Sequence, residues 1–290
     1  MPPLLSADAG RCTGCGLCRT TCPHRIPGVG PDGVSRAEDA ASSSCILCGH
    51  CAAVCPTGAL VHRDLGPGEP ERAAAPPAPG AVAEWLRARR SMRAYRPEPL
   101  SREEVARLLE GARHAPTGHN TRSLGCVAVL GEALRDRLRD ELVAFYRRIF
   151  RVVRRPLGRA VLSLVLGRGR VRELEGALPG MARAEARLAR GEDPLFHGAP
   201  AVLLFHAPDS ETAEADCAGA ATHVALLAPS LGLGTCHIGY ASAALRRRAG
   251  LARRFGVPEG HRVYAVLAAG RPALAYPRVP PRPALGLRFL

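Results

Sequence analysis

The chain has 290 residues, enough for one or two domains with a sizeable core, and its 47 % apolar content is ordinary for a globular protein. No run approaches the roughly 20 apolar residues that a membrane-spanning helix needs. The formal charge of +14 comes entirely from arginine, because lysine is absent; with no nucleic-acid motif in the chain, this reads as composition bias and no nucleic-acid partner is expected. The opening MPPLLSADAG has no basic stretch followed by an apolar core, so no signal peptide is expected. A cytoplasmic protein without stable membrane insertion is the expectation.

The first informative stretch runs from Cys12 to Cys55. Cys12, Cys15, Cys18 and Cys22 are followed by Pro23, and Cys45, Cys48, Cys51 and Cys55 by Pro56. Each half is C-x2-C-x2-C-x3-C-P, the run that holds cubane iron–sulfur clusters, in which the fourth cysteine reaches across to the other cluster. The expectation is two 4Fe–4S clusters. Cys12, Cys15, Cys18 and Cys55 hold one, and Cys45, Cys48, Cys51 and Cys22 the other. A disulfide framework or structural zinc does not account for two copies of a four-cysteine run ending in proline. The remaining thiols, Cys126, Cys217 and Cys236, sit in apolar stretches and are expected to be buried and free.

Residues 1–66 thus form a small cluster domain, stabilised by metal more than by its own core. Residues 67–80, part of a stretch rich in Pro, Ala and Gly from Gly66 onward, read as a linker, and 81–290 as a second domain. That domain opens with a short helix, Val82–Arg89, then the basic run Arg89-Arg90-Ser91-Met92-Arg93. Ser101 and Glu104 form a capping box that starts a helix to about Ala115. A loop, Ala115 to Asn120, leads into a strand over Gly125–Leu130 and a helix over Glu132–Val153. From Arg147 to Arg172 an apolar core is flanked by arginines; it reads as a helical flap whose charge suits an acidic ferredoxin or a membrane surface. A further helix, Val171–Arg190, is expected to break near Pro179-Gly180. A strand over Pro200–His206, an Ala-rich helix over Glu211–Leu231, a loop over Gly232–Gly239, a helix over Ala241–Phe255 and a last strand over Val263–Ala269 complete the domain, ahead of a proline-rich tail. This mixed order predicts α+β.

In order, these pieces resemble the flavin-dependent nitroreductase family over residues 84–283. The carriers are Arg89-Arg90-Ser91-Met92-Arg93 (family R-R-S-[IV]-R), Ala115-Pro-Thr-Gly-His-Asn120 (A-P-S-x-x-N), the segment ending Thr235-Cys-His-Ile-Gly239 (G-L-G-T-x-W-I-G) and Gly270-Arg-Pro272. With the cysteine module in front, the chain is similar to the ferredoxin-fused branch of that family. The resemblance implies an FMN site in a mixed sheet flanked by helices, within a homodimer. Arg89, Arg90, Ser91 and Arg93 are its expected holders of phosphate and ring edge, chemistry suited to planar, permanently charged guanidinium groups. It adds Pro116, Thr117 and Asn120 from the loop, Thr235, the backbone amides of Ile238 and Gly239, and Arg278 or Arg282 from the tail.

Two departures stand out. Thr121-Arg122-Ser123-Leu124 replaces the family's x-Gln-Pro-Trp, leaving Arg122 as the candidate ring contact. His237 replaces a tryptophan. His119, His237 and Tyr240 are candidate proton donors. Gly232-x-Gly234 is not a dinucleotide fingerprint, so no dedicated NAD domain is expected. The resemblance implies an oxidoreductase in which a low-potential donor such as reduced ferredoxin feeds the clusters, the clusters feed FMN, and FMN reduces a small planar acceptor: a nitroaromatic, quinone or activated alkene. A redox sensor or electron carrier serving a protein partner stays open, as does other FMN chemistry such as dehalogenation, flavin fragmentation or dehydrogenation.

Overall fold

The structure, a computed structural model, describes residues 3–37, 39–65 and 71–290, in two compact units. The first takes the chain to Pro77, together with His119–Thr121; the second takes Ala78–Gly118 and Arg122–Leu290. Residues 67–70 of the expected linker, and Gly66 before them, lie outside the described residues.

In the first unit, β1 (Leu5–Ala7) pairs antiparallel with β4 (Leu60–His62), and β2 (Gly28–Val29) with β3 (Ser35–Arg36). Two short helices, α1 (Leu17–Thr21) and α2 (His50–Ala53), each start after a glycine in the left-handed region, Gly16 and Gly49. These are the equivalent positions of the two cysteine runs, and a side chain there would strain the turn that leads Cys18 and Cys51 inward. The apolar core is small: Leu4, Leu5, Ala37 and Leu60 around the buried Cys18 and Cys51.

The second unit is built on a four-stranded sheet in the order β5 (Gly125–Leu130), β6 (Ala201–Pro208), β8 (His261–Gly270), β7 (Gly234–His237). Its three ladders are antiparallel, and a parallel bridge joins Ser91 to Thr235. β6 and β8 are buried on both faces and alternate cleanly. Val202, Leu204, Val266 and Ala268 face one core. Leu203, Phe205, Leu267 and Ala269 face the other. On the second face lie α4 (Arg102–Arg113) and α8 (Ala213–Leu227). The capping box of Ser101 and Glu104 starts α4 as expected. Small residues on α8, with Gly111 on α4, allow close approach: a Cβ on Gly111 would stand 3.1 Å from His223 O. On the first face lie α5 (Glu132–Val153), α9 (Gly239–Arg247) and α10 (Ala249–Arg254). α3 (Pro79–Ala88) is tied to α8 by Trp85 Nε1–H donating to Leu226 O at 2.9 Å. α6 (Pro156–Leu166) and α7 (Arg168–Ala189) pack on α5 and on each other.

Three expectations need correction. α7 runs unbroken through Pro179; the ring forfeits one backbone bond, and packing along α5 and α6 holds the helix regardless. The expected helix over Ala241–Phe255 is two, divided at Arg248, whose ψ of 61° lies outside the helical region. The segment expected as a loop over Gly232–Gly239 contains β7, which pairs Gly234–His237 with Leu267–Gly270.

Candidate functional site

The two hollows of the cysteine unit sort the thiols crosswise. Cys12, Cys15, Cys18 and Cys55 line one, with Ser35. Cys22, Cys45, Cys48 and Cys51 line the other, with His62. All eight thiols are free. Four thiols ring each space, the number that one cubane cluster takes. The donor set therefore fits two cubane clusters.

Each hollow has a side-chain partner on one thiol. Ser35 Oγ lies 3.0 Å from Cys18 Sγ, both residues buried. His62 Nε2 lies 3.3 Å from Cys45 Sγ. The tautomer follows from the other ring nitrogen, where Nδ1 accepts the Asp64 N–H at 3.1 Å. Nδ1 thus carries no proton, and Nε2–H donates to the sulfur. Burial holds His62 below the ordinary histidine range and keeps it neutral. Nothing in the cysteine spacing points to His62, which comes from 17 residues beyond Cys45.

In the second unit, the basic run lies along β7. Met92 N–H donates to Thr235 O at 2.9 Å, beside the Ser91–Thr235 bridge. Gly234 makes this possible, since a Cβ there would stand 2.9 Å from Met92 Cβ. Tyr95 O–H locks the turn by donating to Met92 O at 2.9 Å. The register brings Arg89, Ser91, Arg93, Thr235, Cys236 and His237 into one neighbourhood. Burial pushes the Cys236 thiol up, opposed by Arg93 and Ser91. Desolvation, and then the Arg89 guanidinium, hold His237 below the ordinary histidine range. Arg90 Nε and Nη2 are buried with no hydrogen-bond partner. Two orphaned guanidinium donors fit an anionic group such as a phosphate.

Arg93, His237, Gly239 and Tyr240 line a cavity of about 1030 Å³ walled by α5, α6 and α7. Gly239 is the first residue of α9, so its N–H has no partner within the helix. The Ile238 amide, expected to serve a cofactor as well, is already committed: it donates to Val266 O at 2.9 Å. Arg278 and Arg282 are exposed on the tail and do not line the cavity. Thr117 Oγ1 accepts the Arg122 N–H at 3.1 Å, and the loop after Pro116 is pinned by Gly118 N–H donating to Asp216 Oδ1 at 3.0 Å. His119, Asn120 and Arg122 all take left-handed φ values, a concentration of backbone strain. Asn120 belongs with the cysteine unit, where Nδ2 donates to Ile46 O and Leu47 O at 2.9 and 3.0 Å. Of the three candidate proton donors, His237 and Tyr240 line the cavity and His119 does not.

A fourth, His197, was not among the expected residues. It lines the cavity at φ 60°, a conformation held by Asp193, whose Oδ1 accepts the N–H groups of Leu195 and Phe196 and whose Oδ2 accepts that of Gly198. Burial keeps it below the ordinary histidine range, with Asp193 opposing and Arg93 adding to the effect.

A family model described as the nitroreductase family matches residues 86–271, and one described as a 4Fe-4S dicluster domain matches residues 11–60. A curated relative, the nitroreductase NfnB of Mycolicibacterium smegmatis, is 33 % identical over 139 residues, or 46 % of this chain and 58 % of the relative. The match therefore reaches little more than half of that relative's length. Two solved structures of nitroreductases with bound FMN are similar in fold. One, from Bacteroides fragilis, has a TM-score of 0.51 at 21 % identity over 72 % of this chain and 98 % of its own. The other, from Desulfitobacterium hafniense, has a TM-score of 0.50 at 23 % identity over 69 % and 94 %.

Proposed function

We propose, from the premise that this chain belongs to the nitroreductase family, that it is an iron–sulfur flavoprotein oxidoreductase. It takes electrons from a low-potential donor such as reduced ferredoxin and reduces a small planar, electron-poor acceptor: a nitroaromatic, quinone or activated alkene. The observation that carries the flavin reading is Arg90, with two buried guanidinium donors lacking a partner. Bound FMN would supply the exchange between single electrons and pairs that joins one-electron clusters to a two-electron acceptor.

The chain's own residues do the rest. Arg89, Arg90, Ser91 and Arg93 hold the anionic end and edge of the flavin. The Gly239 N–H is left available at the cavity wall. Of the loop candidates, Arg122 belongs to the second unit and remains the ring contact in this reading. His237, His197 and Tyr240 line the cavity and are the proton donors of this reading, with burial lowering the pKa of both histidines. Phe145, Ile149, Val152 and Leu195 give the cavity the apolar walls that a planar acceptor needs and that exclude water. A homodimer, with the proline-rich tail reaching to the partner, is part of the same reading.

The test is anaerobic purification with iron, sulfide and flavin analysis, followed by titration with reduced ferredoxin and separately with NADPH. About eight irons per chain with bound FMN, reduced by ferredoxin and not by NADPH, is the expected result. Fewer than about four irons, or no flavin, would overturn the reading.

A further inference from the structure

α6 carries a surface that the proposed chemistry does not use. Leu157, Val161, Leu164 and Val165 are 79, 54, 88 and 74 % exposed. At spacings of four, seven and eight residues they form one stripe along the helix. The opposite side is engaged: Leu162 lines the cavity, and Arg159 pairs with Glu175 at 3.0 Å. No acidic residue occurs between Glu141 and Glu173, a stretch holding nine arginines. Arg147, Arg154, Arg159 and Arg170 are paired with glutamates of α7. Arg151 and Arg155 before the stripe, and Arg168 and Arg172 after it, are exposed and enter no ion pair among the described residues.

We propose that α6 is a membrane-surface element, lying in the headgroup region of an anionic bilayer. The four aliphatic side chains enter the acyl boundary, and Arg151, Arg155, Arg168 and Arg172 meet lipid phosphates. An apolar stripe flanked in sequence by exposed cations outside any ion pair is what such a surface satisfies on both counts. A second copy laid against the same face would set arginine against arginine, with no acidic residue in the stretch to relieve it. An acidic protein would satisfy the charges and leave the aliphatic stripe without an apolar counterpart. No helix is long and apolar enough among the described residues to cross a membrane, so the element lies on the surface.

The test uses the full holoprotein and vesicles of phosphatidylcholine alone, or of equal parts phosphatidylcholine and phosphatidylglycerol, with bound protein read by sedimentation. Expected is binding to the mixed vesicles, weakened about tenfold or more by Leu157→Ser/Leu164→Ser and by Arg151→Gln/Arg155→Gln. These side chains are exposed, so the variants should fold; unchanged iron and flavin content checks that. Equal binding by wild type and the serine pair would mean adherence through bulk charge, and overturns the proposal. So would failure of the wild type to bind mixed vesicles. A serine pair that converts a dimer to a monomer, without any vesicle binding by the wild type, would assign the stripe to a seam between copies and equally overturn it.

Discussion

Arg90 donates through Nη1 to the carbonyl oxygen of Arg89 at 2.6 Å, while its Nε and Nη2 stay buried and unpartnered. A buried charged donor without an acceptor is costly to the fold, and a bound phosphate would remove that cost. Arg90→Met keeps the bulk and deletes the donors. FMN affinity should fall about tenfold to a hundredfold, the loss of one or two charge-assisted hydrogen bonds. The flavin-free protein should be as stable as the wild type or more so. Fluorescence titration of apoprotein with FMN, beside urea denaturation, reads both; unchanged affinity would remove Arg90 from the phosphate site.

Cys22 shares its hollow with Cys45, Cys48 and Cys51, although it belongs to the other cysteine run. The pairing predicts a non-additive pattern. Cys22→Ala/Cys45→Ala should lose the same half of the iron as Cys22→Ala alone, because both ligands serve one cluster. Cys22→Ala/Cys12→Ala should lose nearly all of it. Iron and sulfide analysis of the four proteins decides; the reverse pattern would mean that each run closes its own cluster.

His206 is buried, its Nδ1 lies 2.9 Å from His261 Nδ1, and burial followed by His261 lowers its pKa to about 4. One ring must accept in this contact, so a doubly protonated pair would set donor against donor. Between pH about 4 and the ordinary value near 6.5, the unfolded chain binds more protons than the folded one. Stability is therefore fully present above about pH 6.5 and is lost as pH falls towards 4, by up to about 3 kcal/mol. Urea midpoints for wild type and His206→Leu at pH 7 and pH 5 test this. The variant should lose less on acidification, and parallel losses would clear His206 of the effect.

How much of this was readable beforehand depended on whether a residue's role is local. Cysteine spacing foretold which thiols share each hollow because the pattern is set within a short run. The boundaries of α5 and β5 and the cap of α4 followed from periodicity and from Ser101 and Glu104, all interactions within a few residues. β7 was hidden because its Gly-rich segment becomes a strand only when β8 offers a ladder. Pro179 and Arg248 misled in opposite directions: packing overrode a breaker in α7, and a backbone turn with no marker residue divided α9 from α10. The basic run could be named, but its register against Thr235 depends on Gly234 and could not. His62 and His197 left no signal because their partners are distant or their conformation is imposed by a turn.

His62 leads to a prediction about potential. Its Nε2–H donates to the Cys45 sulfur, which favours the more negative, reduced cluster. His62→Leu should lower the potential of that cluster by about 40–60 mV, equivalent to about 1 kcal/mol for one electron. The other cluster, with Ser35 beside Cys18, should be unchanged. Redox titration followed by EPR separates the two; equal shifts in both, or none, would deny His62 this role.

His197 gives the most direct test of how the cavity handles protons. Its ring lines the cavity with Arg93 and His237, and its left-handed backbone is held by Asp193. Asn tolerates that backbone and cannot titrate, so His197→Asn removes the acid without adding strain at φ 60°. If the imidazole delivers the proton, kcat for acceptor reduction should fall by about a hundredfold, the lower end of general-acid contributions. KM and FMN affinity should stay within about twofold, because the side chain's role is in proton transfer and not in holding either molecule. Because burial depresses its pKa and the protonated ring is the acid, the wild type's kcat should rise as pH falls below the ordinary histidine value, and the variant should lack that rise. A variant with an unaltered pH profile would shift the proton to His237, which the matching His237→Phe measurement would then register.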